Sequence, residues 1–386
     1  MMPYFDHAAS TPVDPLVARS IAATLQDPGL QANPASVHRP GRMAAARVEA
    51  ARAEVATLIG AQVDEVVFTS GATEANNLAI IGAAQFRAGG GRHLVTCATE
   101  HRSVVEPFRR LEAQGFKVTW LVPDDQGIFG PEQVAAALRP DTTLVSVMQV
   151  NNETGVVQDI AAIGAICRAA GVLFHVDAVQ AAGREPIDVR KMSADLLSLS
   201  AHKFHGPKGV GALFLDREHS RRVEPLLVGG AQEHALRPGT VATHQVIGMG
   251  VAARLATERI GVDPDRIRAL RDALWTRLQC VPGVLLNGHP QRRACHILNI
   301  SVVGAEGESL LLALRRVAIS RGSACASNDA EPSPVLHHLG RGDELARSSL
   351  RFSLARTNTP AEVEFVAEEL HAAIRHLRRI APAGVV

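Results

Sequence analysis

From about residue 64 to residue 215, short aliphatic and β-branched runs alternate with Ala-rich segments. The apolar runs predict strands over 65–69, 93–96, 118–122, 144–150, 173–176, 196–200 and 210–215. Between most of them, apolar residues spaced three and four apart predict helices over 74–87, 104–114, 132–138 and 160–170. Such strand–helix–strand alternation implies a mainly parallel sheet with helices on both faces. The seventh run follows the sixth through a Gly/Pro loop with no helix between them, so it is expected to run antiparallel. After a helix over 243–260 the pattern changes to a helix over 264–279, a strand over 297–303, a helix over 308–317, a loop over 320–334, a strand over 350–354 and a helix over 360–379. The expected fold class is α/β, with a large domain over 14–260 built on a mainly parallel seven-stranded sheet. A smaller α+β domain is expected from 1–13 together with 261–386.

Apolar residues make up 46% of the 386, enough to build a packed core and to exclude a disordered chain or a disulfide-stapled mini-fold. Lys and Arg total 40 against 39 Asp and Glu, so no bulk field directs the chain to nucleic acid or anionic lipid. No apolar run reaches the ~18 residues of a membrane span. The opening Met1-Met2-Pro3-Tyr4-Phe5-Asp6-His7 lacks the layout of a signal peptide. Five cysteines, an odd number, fit reduced thiols in the cytoplasm. Cys97, Cys167, Cys280 and Cys295 lie in or beside apolar elements and are expected in the core. No tight His/Cys cluster suggests a metal site.

In a parallel sheet ligands collect beyond the carboxyl ends of the strands, so the residues just past each strand carry the chemistry. The first strand leads into Ser70-Gly71-Ala72-Thr73-Glu74, where free N–H groups at a helix start suit a phosphate. Later strands lead into Thr99-Glu100-His101, Asn151-Asn152-Glu153-Thr154-Gly155 and Asp177-Ala178-Val179-Gln180. The sixth leads into Ser200-Ala201-His202-Lys203, then a rigid Gly/Pro loop. Capping and turn formation account for most of these singly. Together they place a phosphate cradle, a His, an Asn, an acid and a Lys on one edge, the set that pyridoxal 5′-phosphate requires.

These stretches resemble the pyridoxal-phosphate cysteine desulfurases of the NifS/IscS type, a branch of the class V aminotransferases. The likeness runs from Asp6-His7-Ala8-Ala9-Ser10-Thr11-Pro12 to Arg351-Phe352-Ser353-Leu354 and includes Asn33-Pro34-Ala35-Ser36 and Gly322-Ser323-Ala324-Cys325. It implies a fold-type I aminotransferase-like fold and a homodimer with active sites at the subunit interface. It implies that Lys203 binds the cofactor covalently, that Asp177 pairs with the pyridine nitrogen, and that His101 stacks on the ring and serves in proton transfer. Asn152 and Gln180 would contact the ring oxygen. Ala72, Thr73, Ser200 and His202 would surround the phosphate, with Thr240 reaching it from the other subunit. Asn33 and Arg351 would bind the carboxylate of L-cysteine. Cys325, in the small, polar run 320–329, would take the substrate's sulfur as a persulfide and pass it to an acceptor such as an iron–sulfur scaffold or a thiolation enzyme.

Three stretches depart from the family pattern. Ala201 stands where Gly is common, Arg321 replaces a Ser, and Gln232-Glu233-His234-Ala235 replaces Gln-Glu-Arg-Gly. The chain ends soon after Arg378-Arg379-Ile380-Ala381-Pro382, short of the tail with which many relatives dock their scaffold protein. The alternatives are a selenocysteine lyase or class V aminotransferase on the same fold, or a non-catalytic sulfur-relay partner.

Overall fold

The computed structural model describes residues 2–217, 223–322 and 332–380. Seven strands form the main sheet: β1 (Val66–Thr69), β2 (His93–Cys97), β3 (Lys117–Leu121), β4 (Thr142–Met148), β5 (Leu173–Asp177), β6 (Leu196–Ser200) and β7 (Gly211–Leu215). Their spatial order is β1-β7-β6-β5-β4-β2-β3. Strands β6, β5, β4, β2 and β3 pair in parallel, whereas β7 is antiparallel to both β6 and β1. The reversal at β7 follows from its connection, because the stretch after β6 is too short to cross over the sheet.

Alternation along each strand sorts side chains to the two faces. Val66 and Phe68 join Val55 and Ile59 of helix Arg39–Ile59 in one apolar cluster, while Val67 joins Leu78 and Phe108 in another. Two helices that the apolar pattern did not signal, Pro15–Gln26 and Arg39–Ile59, pack with helix Thr243–Arg259. The helix expected over 74–87 begins earlier, at Ala72, and contains a π-turn at Leu78–Gly82.

A second, antiparallel sheet has the order β10-β9-β8, from β8 (Val284–Leu286), β9 (Ile297–Val302) and β10 (Ser349–Ser353). Its own core brings Ile300 and Phe352 together with Leu274 and Leu370 of the flanking helices. Phe5 is buried in that core, its N–H donating to the Ala318 carbonyl at 2.8 Å and its carbonyl accepting from Ser353 N at 2.7 Å. One expectation is corrected: Cys280 is exposed, because it follows the end of helix Asp263–Leu278 and turns its thiol to the Thr276 carbonyl. Among the described residues no helix is long and apolar enough to cross a membrane.

Polar lines cross the sheet, and one runs through its centre. His175 on β5 bridges Ser146 Oγ on β4 at 2.8 Å and Ser198 Oγ on β6 at 3.0 Å. Burial lowers its pKa to about 3. His7 and His205 are also lowered to about 3, by burial first and then by Arg184 beside His7 and Arg356 beside His205. In the unfolded chain each titrates near the ordinary 6.5, so below that pH the unfolded state binds more protons and stability falls, down to about pH 3. At about pH 5.5 each contributes a loss of roughly 1 kcal/mol relative to about pH 7.5. From about pH 7.5 to about pH 5.5 the urea midpoint of His175→Gln is expected to shift upward relative to that of the wild type, both proteins sharing the same buried acids; parallel curves contradict neutral burial of this ring.

Candidate active site

A cleft of about 430 Å³ opens at the carboxyl edge of the parallel strands. Strand β6 runs directly into a single 3₁₀ turn, Ala201–Lys203, which carries Lys203 into the cleft wall. The Lys203 ammonium donates to the carbonyls of Ala8 at 2.6 Å and Ala9 at 2.8 Å. Ala201 takes no positive φ, so its methyl group fits where the related pattern has glycine. Asp177 ends β5 and is only 5% exposed. Its carboxylate accepts from Val179 N at 3.0 Å and from Asn76 Nδ2 at 2.9 Å, the donors that a buried charge needs.

His101 caps helix Arg102–Ala113, its Nδ1 accepting from Ser103 N at 3.1 Å. Burial lowers its pKa, and the cations of Lys203, Arg102 and Arg351 act in the same direction against Asp177. His202 is lowered to about 4 by burial and by Lys203 and Lys208. Behind Asp177, burial and that carboxylate push Glu100 well above the usual range.

The anion seat lies where β1 turns into the helix at Ala72. No side chain caps this helix start, and Ala72, Thr73, Ser200 and His202 all line the cleft. Uncapped N–H groups and the helix dipole favour a phosphate there. Gly71 has φ +154°, a conformation open to glycine. Gly211 packs against it so closely that a Cβ on Gly211 would stand 2.7 Å from Gly71 Cα and 2.5 Å from the Leu199 carbonyl oxygen.

Asn152, Gln180 and Arg351 complete the opposite wall. Arg351, on β10 and 1% exposed, donates through Nη1 to the Asn152 carbonyl at 2.8 Å and through Nη2 to Asp6 at 2.9 Å. Gln180 donates to the Ala8 carbonyl at 2.8 Å. Ten of the residues expected from the sequence thus face one cleft, drawn from both sheets.

Asn33 and Thr240 are not among them. Asn33 is exposed and lines a separate cavity of about 590 Å³, together with Gln232, Glu233, His234 and Val241. Thr240 is exposed on the same segment. That segment is held by Arg52, which grips the Glu233 carboxylate at 2.7 and 2.8 Å, and by Arg237, 3.1 Å from Glu74 at the cleft. Glu233, His234 and Ala235 have φ of +46°, +58° and +62°, so the chain keeps a left-handed turn where the commoner pattern offers glycine. Cys325 lies outside the described residues.

Sequence reasoning missed Asn76 and Lys208. Asn76 carries no motif signal, and Lys208 also lines the cleft but reads in sequence as a loop residue.

The model of the aminotransferase class-V family matches residues 3–366. The chain belongs to the class-V aminotransferase family. A relative named cysteine desulfurase IscS, from Aeromonas hydrophila, is 50% identical over 380 residues, covering 98% of this chain and 94% of its own. Among solved structures, a NifS-like protein superposes with a TM-score of 0.90 at 31% identity, covering 97% of this chain and all of its own. SspA in complex with cysteine superposes at 0.81 with 35% identity, over 92% of this chain and all of its own. Membership of this family of cysteine desulfurases and aminotransferases implies pyridoxal 5′-phosphate as cofactor. The donor set fits that group: an uncapped helix start for its phosphate, a buried carboxylate for its ring nitrogen and a lysine for its aldehyde.

Gly211→Ala is expected to lower stability by about 1–3 kcal/mol in urea unfolding and to weaken cofactor binding, because the new methyl group displaces Gly71. Wild-type values for both would contradict the close approach.

Proposed function

We propose that the protein is a pyridoxal-phosphate-dependent cysteine desulfurase that converts L-cysteine to L-alanine and holds the sulfur as a persulfide on Cys325. One observation carries this reading. Arg351 N donates to the Ser320 carbonyl at 2.8 Å, so the segment bearing Cys325 starts at the rim of the cleft that contains Lys203 and Asp177. Cys325 lies three residues beyond Gly322, a reach of at most about 10 Å. The relatives named cysteine desulfurase support the same reading.

In this reading Lys203 holds the cofactor, Asp177 faces its ring nitrogen, Asn152 and Gln180 approach its ring oxygen, and His101 covers its face. Ala72, Thr73, Ser200 and His202 take the phosphate. When bound, pyridoxal phosphate supplies an electron sink for ionisation at the substrate's Cα. Arg351 grips the substrate carboxylate with charge-assisted hydrogen bonds. Lys203 Nζ moves the proton at Cα. The Cys325 thiolate then bonds to the substrate's Sγ as the Cβ–S bond breaks, and alanine leaves after a proton is added at Cβ. Transfer of the outer sulfur to an acceptor, an iron–sulfur scaffold or a thiolation enzyme in the cytoplasm, frees Cys325.

The 14–260 unit carries the cofactor, while 1–13 with 261–386 carries Arg351 and the Cys325 segment. Asn33 and the segment ending at Thr240 line one cavity, so in a homodimer they approach the cleft of the second chain together. A cysteine in reach of the cleft favours desulfuration over transamination, which has no use for it.

Borohydride treatment is expected to fix the cofactor's mass on the peptide containing Lys203, and to fix none in Lys203→Ala. Mass on Lys208 instead would reassign the site. Cys325→Ala is expected to keep the cofactor's absorbance while losing persulfide formation and at least about 100-fold in alanine production. Full sulfide release by that variant, or accumulation of an oxo-acid in place of alanine, would overturn the reading.

A further inference from the structure

Behind the cleft runs a chain of hydrogen bonds that the proposed reaction does not use. Asn76 Nδ2 donates to Asp177 Oδ2 at 2.9 Å and to Ser103 Oγ at 2.8 Å. Ser103 Oγ lies 2.7 Å from His101 Nδ1, and Ser103 N donates to the same nitrogen at 3.1 Å. Asn76 is fully buried and Ser103 nearly so, so solvent does not compete for these bonds.

The direction of every bond is set by the acceptor at one end. A carboxylate only accepts, so the Asn76 amide must turn its NH₂ group, not its oxygen, toward Asp177. The second amide proton then fills Ser103 Oγ as a donor would, and the Ser103 hydroxyl proton is left for His101. The backbone N–H of Ser103 cannot reverse, so a proton on Nδ1 would face it head-on. Nδ1 is therefore the ring's acceptor, and in the neutral imidazole the proton sits on Nε2.

We infer that Asn76 and Ser103 are positioning residues that lock His101 as a neutral imidazole protonated on Nε2, a fixed hydrogen-bond donor in the cleft wall. In that state Nε2 has no lone pair to receive a proton, and Nδ1 is engaged by two donors. His101 then acts through its Nε2 proton, so the part in proton transfer that the family resemblance implies for it narrows to that of a donor, and proton removal from the substrate falls to Lys203. A histidine kept neutral to act as a donor is a known enzymatic device. The charged groups facing the ring are Asp177, Lys203, Arg102 and Arg351. The tautomer is a property of the protein by itself; only its kinetic consequence rests on the desulfurase reading.

The test is nitrogen-15 NMR of histidine-labelled enzyme, with the His101 signals assigned by their loss in His101→Gln. The wild-type ring is expected to show one tautomer, with Nδ1 bare and Nε2 protonated, in both the cofactor-loaded and cofactor-free protein. Because the Ser103 N–H survives in Ser103→Ala and Asn76→Ala, both are expected to keep the Nε2 tautomer but to move the Nδ1 signal through loss or misdirection of the hydroxyl donor, and Ser103→Thr, which keeps the hydroxyl, to restore the wild-type signal. For cysteine turnover, Ser103→Ala is expected to lose about tenfold in kcat with KM changed less than about twofold, and Ser103→Thr to stay within about threefold of wild type. A wild-type ring protonated on Nδ1, or a doubly protonated one, overturns the inference; so do variants whose ring signals match wild type. Absent cysteine turnover with the Nε2-protonated tautomer intact would instead count against the desulfurase reading.

Discussion

A carboxylate carried to the end of an apolar strand is the constraint around which this site is arranged. Asp177 follows Leu173–Val176 into the interior, where an ionised oxygen without donors would cost several kcal/mol. Its two oxygens are satisfied by a backbone N–H two residues on and by an amide from the helix that starts the phosphate seat. That second bond orients Asn76, which orients Ser103, which orients His101. The demand of one buried charge thus extends from β5 through an amide in the middle of one helix to the start of another.

Burial disfavours charge on several other titratable groups. His7, His205 and His296 lie beneath the cleft with pKa values lowered by burial, and Arg184 among them adds to the lowering. Glu100 and Glu153 are pushed the other way by burial. Two of the cations facing the cleft, Lys203 and Arg351, are held by oxygen acceptors: the carbonyls of Ala8, Ala9 and Asn152, and the Asp6 carboxylate. A carboxylate entering the cleft therefore meets cations whose positions are already fixed.

Much of this was legible in the sequence because a parallel sheet puts its strand ends on one edge. The runs after β1, β2, β4, β5 and β6 supplied the cleft residues, and the antiparallel turn into β7 followed from a missing helix. What stayed hidden had weak signals. Helix Arg39–Ile59 buries mainly alanine and valine on one side, so its apolar stripe is faint. Cys280 looked like a core residue from its neighbours, yet the helix ends before it and leaves it outside. Asn76 sits in the middle of a helix, where a polar residue gives no hint of a buried partner 101 positions away. Asn33 matched a motif, but a single chain folds it onto another face.

The chain on either side of the stretch carrying Cys325 passes the same side chain. A Cβ on Gly322 would stand 2.9 Å from a Glu153 carboxylate oxygen, and Ser333 Oγ donates to that same oxygen. Between two points this close, the entropic cost of any connection grows only logarithmically with its length, by about 0.6 kcal/mol per doubling. A longer or shorter connection between these two points would therefore cost the fold little, while Arg351 keeps its place on β10 whatever that length.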